Sequence, residues 1–354
     1  MQEYPFSKGR TSVARVVNDW YVVATSSELG KAPLRTTVYG IPYVLFRDSV
    51  GVAGALLDRC PHRNAPLSLG VVKQSVLECS YHGWQFDTTG RCVHVPAVSG
   101  SPGVKKGRVE SFSLHEEDGF IWVYATPDTE PTREVFRFPL LREKKYTTIR
   151  ATLDVHGSIH ATAENALDVP HTAYLHGGLF RRSDGRKNEI EVKVNRLHDR
   201  VEAEYIGEPR PKGIAGKILS PGGGVVSHFD RFILPSIVQV EYHLGGSSHL
   251  CITAALTPVE DFRTRIFALM SFRTPLPDRL LALLLKPIIM RIFRQDEDML
   301  RAQTETIQTF GGEQFQSTSA DVLGPDILRL LRHAERGERI DDKPQEKESF
   351  RLFL

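Results

Sequence analysis

The stretch CPHRNAPLSLGVVKQSVLECSYHGW, residues 60–84, is the most informative part of the sequence. It pairs a cysteine with a histidine twice, as Cys60 with His62 and as Cys79 with His82. Thiolates and imidazoles are metal ligands, so two such pairs on turn-rich loops predict a metal centre. Zinc sites with two cysteines and two histidines usually take a CxxC pair and a separate histidine pair. Here each loop supplies one ligand of each kind, which favours a [2Fe-2S] cluster with two histidines on one iron and two cysteines on the other.

The CxH and CxxH spacing, with Gly83 and Trp84 directly after the second histidine, resembles the Rieske family of iron–sulfur proteins. The resemblance implies that the two cysteines and two histidines bind one Rieske-type [2Fe-2S] cluster. Replacing two thiolates by neutral imidazoles removes two negative charges and raises the reduction potential by roughly hundreds of millivolts over the all-cysteine form. Such a cluster stores electrons for an oxidising site.

The bulk composition is that of a globular protein large enough for two cores. The 354 residues are 41% hydrophobic and 25% charged, with a formal net charge of +2, so there is no basic field of the kind that nucleic acid requires. The N-terminal residues MQEYPFSKGR lack the apolar core of a signal peptide, and four cysteines do not suggest a disulfide framework. The most apolar stretch, residues 280–293, falls well short of the roughly 20 apolar residues of a membrane span. These features predict a cytoplasmic protein with no transmembrane segment and no nucleic-acid partner.

The residue pattern changes near position 127. Before it, short β-branched and aromatic runs alternate with Gly, Pro and Asp turns, which predicts an all-β Rieske domain over residues 1–127. The polar segment Pro127–Glu134 holds two prolines and is typical of a linker. Residues 128–354 combine strand-like runs with helical stretches, which predicts an α+β domain with an antiparallel sheet. The strand-like runs of this half lie at residues 189–197, 200–207, 236–244, 249–259 and 263–272. The predicted helical stretches lie near 158–176, 277–310 and 321–336.

A second metal motif occurs one domain further along, in residues 164–176, ENALDVPHTAYLH. Two histidines on a helix carry little information alone, but here they follow a Rieske motif. The spacing NxxDxxHxxxxH, over Asn165, Asp168, His171 and His176, resembles the mononuclear iron segment of the Rieske non-haem iron oxygenases. The resemblance implies a helix-grip (START-like) catalytic domain in which His171 and His176 bind one mononuclear Fe(II).

Such an iron needs a carboxylate as well, because two histidines and one carboxylate on one face leave positions open for O₂. The segment RQDEDMLRAQ, residues 294–303, offers Asp296 and Asp298. On a helix, the residues three, four and seven positions from Asp296 are mainly apolar, whereas those around Asp298 are mainly charged. A ligand must point inward, so Asp296 is favoured, with Asp298 as the alternative. The family pattern of an acid seven residues before a glutamine, here Gln303, agrees with Asp296.

The resemblance also implies roles for the two polar residues of the second motif. Asp168 is expected to link His171 to the Rieske histidine His82, since second-shell carboxylates orient imidazole ligands. Its alternative is a local turn cap. Asn165 is expected to line the iron pocket, with a plain surface amide as its alternative. A head-to-tail ring of three subunits is implied, in which electrons pass from His82 of one protomer to Asp168 and His171 of the next.

Together the motifs and the resemblance predict the terminal oxygenase of a Rieske-type system. Such a monooxygenase or dioxygenase uses O₂ to hydroxylate, demethylate or desaturate an organic substrate. No GxGxxG fingerprint follows a strand, so a separate NAD(P)H-dependent reductase, a ferredoxin or both are expected to supply the electrons. Apolar runs within residues 229–252 favour an uncharged, mainly hydrophobic and ring-containing substrate, although these runs suit a sheet core equally well. The alternative function is a Rieske electron-transfer protein, which would leave the second half of the chain unexplained.

Overall fold

The computed structural model describes residues 11–98, 107–176, 189–208, 226–245, 248–274, 278–338 and 348–353. The described residues form two compact units, one within positions 17–137 and the other within positions 138–353 together with 11–16. No helix in this described part is both long enough and apolar enough to cross a membrane.

The first unit is built from short antiparallel strands. The strands among its described residues are β1 Trp20–Thr25, β2 Leu34–Val38, β3 Ile41–Arg47, β4 Ala53–Leu57, β5 Val71–Lys73, β6 Val76–Glu78, β7 Gln85–Phe86, β8 Cys92–His94, β9 Ser111–Phe112, β10 Leu114–Glu117 and β11 Phe120–Tyr124. They form three sheets, in the orders β1-β11-β10, β2-β3-β4-β9 and β5-β6-β7-β8. The predicted all-β character of this half is confirmed.

Both cysteine–histidine loops are anchored in the core of the first unit. The first loop lies between β4 and a 3-10 helix over Leu67–Leu69, and the second joins β6 to β7. Phe46 and Leu56 of the β2-β3-β4-β9 sheet belong to one buried cluster with the two loop cysteines. Leu77 and Phe86 of the β5-β6-β7-β8 sheet complete that cluster. Apolar packing therefore holds each loop at its cysteine.

The second unit is an antiparallel sheet with helices. Its described elements are β12 Thr147–Val155, α1 Ile159–Leu167, β13 Glu189–Arg196, β14 Arg200–Ile206, β15 Ser227–Ile233, β16 Ile237–His243, β17 His249–Glu260, β18 Arg263–Arg273, α2 Asp278–Thr309, α3 Gly324–Glu335 and β19 Glu348–Phe353. The sheet order is β12-β18-β17-β16-β15-β14-β13-β19. Neighbouring strands run antiparallel throughout, and the predicted α+β class is confirmed.

Helix α1 is shorter than the predicted stretch 158–176. It begins at Ser158, whose hydroxyl accepts a hydrogen bond from the N–H of Ala161 at 3.1 Å, an ordinary N-cap. It ends at Asp168, whose backbone is extended. A 3-10 turn over Pro170–Ala173 follows, and its proline has no N–H with which to continue an α-helix. The break places the second metal motif on a turn.

One side of the large sheet packs against the long helix α2 and is called the inner face below. Leu250 and Phe272 pack there in one apolar cluster with Tyr242 and with Ile289 of α2. Because successive side chains of a strand point to opposite sides, these residues fix which positions of β16, β17 and β18 face inward. Glu241, for example, neighbours Tyr242 on β16 and faces the opposite side.

Candidate metal centres

The two cysteine–histidine loops have the same backbone hydrogen bonds. In the first, the N–H of Cys60 donates to the carbonyl oxygen of Ala65 at 2.8 Å, and the N–H of Asn64 donates to the carbonyl of Cys60 at 2.9 Å. In the second, Cys79 is bonded in the same way, donating to Trp84 at 2.8 Å and accepting from Gly83 at 3.0 Å. Each loop thus turns back on its own cysteine and presents one thiol and one imidazole.

The charges around the first loop suit a bound metal. Burial raises the pKa of the Cys60 thiol to about 11, although the backbone N–H groups of His62 and Arg63 point at its sulfur and oppose that rise. A thiol with such a pKa is protonated at neutral pH unless a metal binds it, because coordination deprotonates it outright. Burial and the neighbouring His82 and Arg63 lower the pKa of His62, so its imidazole is neutral, as a ligand must be.

Aromatic rings surround the two histidines of these loops. The His62 ring lies 4.5 Å from the His82 ring and stacks on Trp84 at 4.8 Å, with only 6° between the planes. His82 is exposed, and Tyr81 packs on it with ring centroids 3.9 Å apart. His62 is therefore half-buried beside Trp84, while His82 reaches the surface.

A buried nitrogen atom without a hydrogen-bond partner indicates whether a cluster fits between the loops. Nδ1 of His62 is buried and has no hydrogen-bond partner, which is costly for a polar atom unless something else binds it. Two buried cysteines lie on the same pair of loops. The donor set of two thiols and two imidazoles matches a Rieske-type [2Fe-2S] cluster, and the orphaned nitrogen is accounted for if it is a ligand.

The second motif and α2 converge on one point. His171 lies in the turn after α1, and His176 follows five residues later. Their Nε2 atoms are 3.3 Å apart. Oδ1 of Asp296, on α2, lies 3.1 Å from Nε2 of His176 and 3.6 Å from Nε2 of His171. The two histidines and Asp296 are thus brought together from segments 120 residues apart in sequence, His176 to Asp296.

The outer hydrogen bonds of the two imidazoles decide what their Nε2 atoms offer. Nδ1 of His171 donates to the backbone carbonyl oxygen of Asp168. Nδ1 of His176 donates to Oε1 of Gln295 at 3.0 Å. With the proton on Nδ1, each Nε2 presents a lone pair, and these lone pairs face a carboxylate oxygen that is itself buried without a hydrogen bond. Three lone-pair atoms that converge in this way form a set of ligands that can bind a cation between them.

The spacing of these three atoms fits an octahedral metal ion. Ligands at right angles on bonds of about 2.1 Å lie about 3 Å apart, close to the observed triangle. Burial alone would raise the pKa of Asp296, but the adjacent imidazoles outweigh it and hold the pKa below its ordinary value, so the side chain is a carboxylate. The alternative residue, Asp298, is 67% exposed and pairs with Arg301 instead. The donor set is that of a 2-His-1-carboxylate iron site.

The remaining polar residues of the motif lie beside this triangle. Asp168 caps α1, and its Oδ2 lies 3.7 Å from Nδ1 of His171. Burial raises the pKa of Asp168, opposed by His171. Asn165 lies one turn earlier on α1 and is half-buried. Gln295, which binds His176, lies three residues before Asp298, on the side of the helix that its charged neighbours predict to be solvated. No local pattern in the sequence therefore indicates its contact with His176.

A buried charged cluster on the inner face also escaped the sequence patterns. His228 of β15 is 1% exposed and donates from Nδ1 to Glu208 at 2.7 Å and from Nε2 to Asp230 at 2.9 Å. Since both ring nitrogens face carboxylates, the ring is an imidazolium. Burial lowers its pKa, but the two carboxylates outweigh burial and raise the pKa to about 9. Tyr205 and Tyr242 stack on its two faces.

Comparison with known families assigns both halves of the chain. Residues 19–113 match the Rieske [2Fe-2S] domain, and residues 155–336 match the vanillate O-demethylase oxygenase C-terminal domain. The first match contains both cysteine–histidine loops. The second covers about half of the chain and contains all three residues of the His–His–Asp triangle.

Several characterised proteins are similar in sequence. The oxygenase component of dicamba O-demethylase from Stenotrophomonas maltophilia is 36% identical over 180 residues, 51% of this chain and 53% of that protein. The oxygenase subunit of 3-chlorobenzoate-3,4-dioxygenase from Comamonas testosteroni is 32% identical, over 73% of this chain and 59% of that protein. The chain thus matches about half the length of these relatives.

Solved structures extend the likeness to the whole fold. Dicamba monooxygenase bound to 3,6-dichlorosalicylic acid superposes with a TM-score of 0.77 at 25% identity, covering 91% of this chain and 98% of that one. Pseudomonas putida NdmA with caffeine gives a TM-score of 0.75 at 23% identity, covering 90% of each chain, and shows the same fold. A Rieske domain joined to an oxygenase C-terminal domain that matches half of the sequence shows that the chain belongs to the Rieske non-haem iron oxygenases.

Proposed function

We propose that the protein is the terminal oxygenase of a Rieske-type electron-transfer system. One observation carries the proposal: Nε2 of His171, Nε2 of His176 and Oδ1 of Asp296 converge in the same chain as a Rieske domain. A Rieske protein that only carries electrons does not need a second, buried set of three metal ligands. Such a set leaves three coordination positions of the metal open to other molecules.

The ligand assignments follow from the donor atoms. Cys60 and Cys79 would hold one iron of the cluster, and His62 and His82 the other. The His171–His176–Asp296 triangle would hold one Fe(II). When bound, the cluster supplies electrons and the single iron supplies a site for O₂ activation.

The polar neighbours of the triangle position its ligands. Asp168 fixes the His171 ring through its backbone carbonyl oxygen and lies close enough with its carboxylate to connect that ring to another group. Gln295 holds His176 in the tautomer that leaves Nε2 free. Asn165 is proposed to line the pocket from the last turn of α1.

The proposed reaction needs an electron donor outside this chain. Hydroxylation converts R–H, O₂, two electrons and two protons into R–OH and water. On a methoxy or N-methyl carbon the hydroxylated product loses the methyl group as formaldehyde. A separate reductase, a ferredoxin or both would deliver the two electrons.

The inner face supports a hydrophobic, ring-containing substrate. The half-buried apolar side chains of Ile149, Ile252, Met270 and Ile289 surround the buried Leu250 there, on the side of the sheet that packs against α2. An apolar ring buried on such a surface gains about 25 cal/mol for each Å² removed from water. The relatives named for dicamba and 3-chlorobenzoate have substrates that contain an aromatic ring, which agrees with this substrate class.

Exposed apolar side chains support the head-to-tail ring of three subunits. Leu69 and Tyr81 are 69% and 64% exposed beside the Rieske loops, and Tyr174 is 84% exposed three residues after His171. Large exposed apolar side chains of this kind mark interaction surfaces when they cluster around a functional site. A ring that joins these two regions would bring His82 of one protomer to Asp168 of the next.

We also propose a cytoplasmic location, in which the four buried cysteines remain reduced.

The test is turnover by protein that contains three irons and two acid-labile sulfides per chain. With NADH, a surrogate reductase, ¹⁸O₂ and a set of methoxylated or chlorinated ring compounds, we expect products that have gained labelled oxygen or lost a methyl group. A His176→Ala variant should retain the reducible cluster and form no product. Cluster reduction without any substrate oxidation, together with only two irons per chain in the wild type, would instead support the electron-carrier alternative.

A further inference from the structure

A second set of two histidines and one carboxylate lies on the other side of the large sheet. Glu241 and His243 are on β16, and His249 is on β17, directly opposite His243 in the strand register. Their neighbours Tyr242 and Leu250 point to the inner face, so these three residues point away from α2. The iron ligands do not contribute to this cluster.

The ligand atoms of the three residues are close together. Oε1 of Glu241 lies 3.0 Å from Nε2 of His249 and 3.5 Å from Nε2 of His243. All three lie within 4.8 Å of one another. The histidine rings are stacked, 4.2 Å apart and 13° from parallel. One ring must therefore turn for both nitrogens to face one ion, and the His243 side chain, 54% exposed, is free to do so.

The outer contacts of His249 prepare it as a ligand. Its Nδ1 lies 2.6 Å from the hydroxyl oxygen of Tyr146, the residue before β12. A hydroxyl can donate or accept, so it serves either tautomer of the ring. When Nδ1 of His249 carries the proton, it donates a hydrogen bond to the Tyr146 hydroxyl oxygen. Nε2 then presents its lone pair toward Glu241. Metal-bound histidines commonly have such a partner on the second nitrogen.

Nearby charges leave Glu241 available for a cation. Its other oxygen, Oε2, accepts a hydrogen bond from Nη1 of Arg231 at 2.6 Å. Arg231 is shared with Glu202, whose Oε1 lies 3.6 Å from its Nε. Arg231 binds Oε2 and leaves Oε1 of Glu241 facing the histidines.

We propose that Glu241, His243 and His249 form a second metal site, which takes Zn²⁺ or a similar borderline divalent ion. Two imidazoles and one carboxylate, with water in the fourth position, are a common zinc donor set. A partly exposed site with an adjustable ligand selects by affinity, which favours zinc over ferrous iron. A bound ion would join the ends of β16 and β17 and link them through Tyr146 to the start of β12.

The test is a zinc titration of holoprotein whose iron sites are already full, with three irons per chain verified beforehand. Competition against a chromophoric zinc chelator should reveal one Zn²⁺ per chain with no loss of iron. His243→Ala should weaken this binding at least about 100-fold, since it removes a ligand and not merely a partner of one. Because His243 is exposed, this variant is expected to fold normally.

The matched control is His115→Ala. His115 is also about half exposed and lies 3.5 Å from a carboxylate, Glu117, but the described residues offer no third ligand there. Its zinc affinity should equal that of the wild type. The proposal is wrong if the iron-loaded wild type binds no additional zinc, or if His243→Ala binds it as tightly as His115→Ala. Neither result depends on whether the protein is an oxygenase.

Discussion

Asp296 and Asp298 lie two residues apart on α2, yet only Asp296 points at the histidines. We expect Asp296→Ala to leave the absorption spectrum of the cluster unchanged and to lower the iron content from three to about two per chain, because the third ligand is lost. Asp298→Ala removes an exposed carboxylate of the same helix and should retain three irons. Iron analysis and visible spectroscopy measure both, and a full iron content in Asp296→Ala would contradict the assignment.

Gly83 follows His82, the second predicted cluster histidine, and has no room for a side chain. Its φ is +68°, and a Cβ there would lie 2.9 Å from Cγ of Pro96. Gly83→Ala should therefore lower the amount of cluster per chain after reconstitution, because both the backbone and the contact resist the methyl group. Gly51→Ala is the control, since Gly51 also has a positive φ but nothing within 4 Å of its Cβ. Equal sulfide contents in the two variants would show that the contact with Pro96 is unimportant.

Residues adjacent in sequence were predictable, and partners from distant segments were not. The cluster loops could be recognised because each one supplies its two ligands within four residues. Choosing Asp296 over Asp298 required an argument from helix geometry. That argument identified the inward residue because one side of α2 is apolar. The same argument misplaced Gln295, because contact with His176 depends on where a separate segment passes. The ligand assignments themselves stay predictions until metal analysis tests them.

Strand β15 shows why a strand with charged residues at its buried positions is hard to predict from sequence. Its buried positions are His228, Asp230 and Phe232, while Phe229 and Arg231 are only half-buried. Charged residues at inward positions cancel the alternation of polar and apolar residues by which strands are recognised. Strand β12, with mixed polar and apolar residues, and β19, near the C-terminus, were also absent from the predicted runs. Sheet order, being set by long-range pairing, was outside the reach of local patterns.

The buried charged cluster of His228, Glu208 and Asp230 makes the stability of the sheet depend on pH. Its pKa in the folded protein, about 9, lies above the ordinary value of 6.5, so the stabilisation is complete below about pH 6.5 and is lost as the pH rises through 9. We expect the urea midpoint of the second unit to fall between pH 6.5 and 9. His228→Gln should be less stable at pH 6.5 and show a smaller fall. A variant with the same pH dependence as the wild type would show that other groups cause it.

Assembly can be tested by mixing two inactive variants. Cys60→Ser should lack the cluster and His176→Ala the single iron, so neither is active alone. If the cluster of one protomer serves the iron of the next, co-assembly of equal amounts should restore about a quarter of the wild-type activity, since one contact in four joins an intact cluster to an intact iron. Activity that stays at zero in verified mixed trimers would contradict transfer between subunits. Mixing after separate assembly, without exchange, is the control.

At the level of the whole molecule, the fold class and family could be predicted from two motifs and their order along the chain. The domain boundary after residue 127, the three-subunit ring and the redox partner stay predictions, because each depends on surfaces and not on local spacing. Substrate identity depends on the shape of the substrate site, which local spacing does not encode. The apolar runs within residues 229–252 favour a hydrophobic substrate but suit a sheet core equally well.

The stacking of Trp84 on His62 also gives the protein a built-in optical signal. The sequence contains only three tryptophans, Trp20, Trp84 and Trp122. With its ring centroid 4.8 Å from that of His62, a proposed cluster ligand, Trp84 should lose its fluorescence by energy and electron transfer when a coloured cluster forms, and regain it when the cluster is removed. Subtracting the emission of a Trp84→Phe variant would isolate that change, so cluster insertion could be followed in real time without added dye.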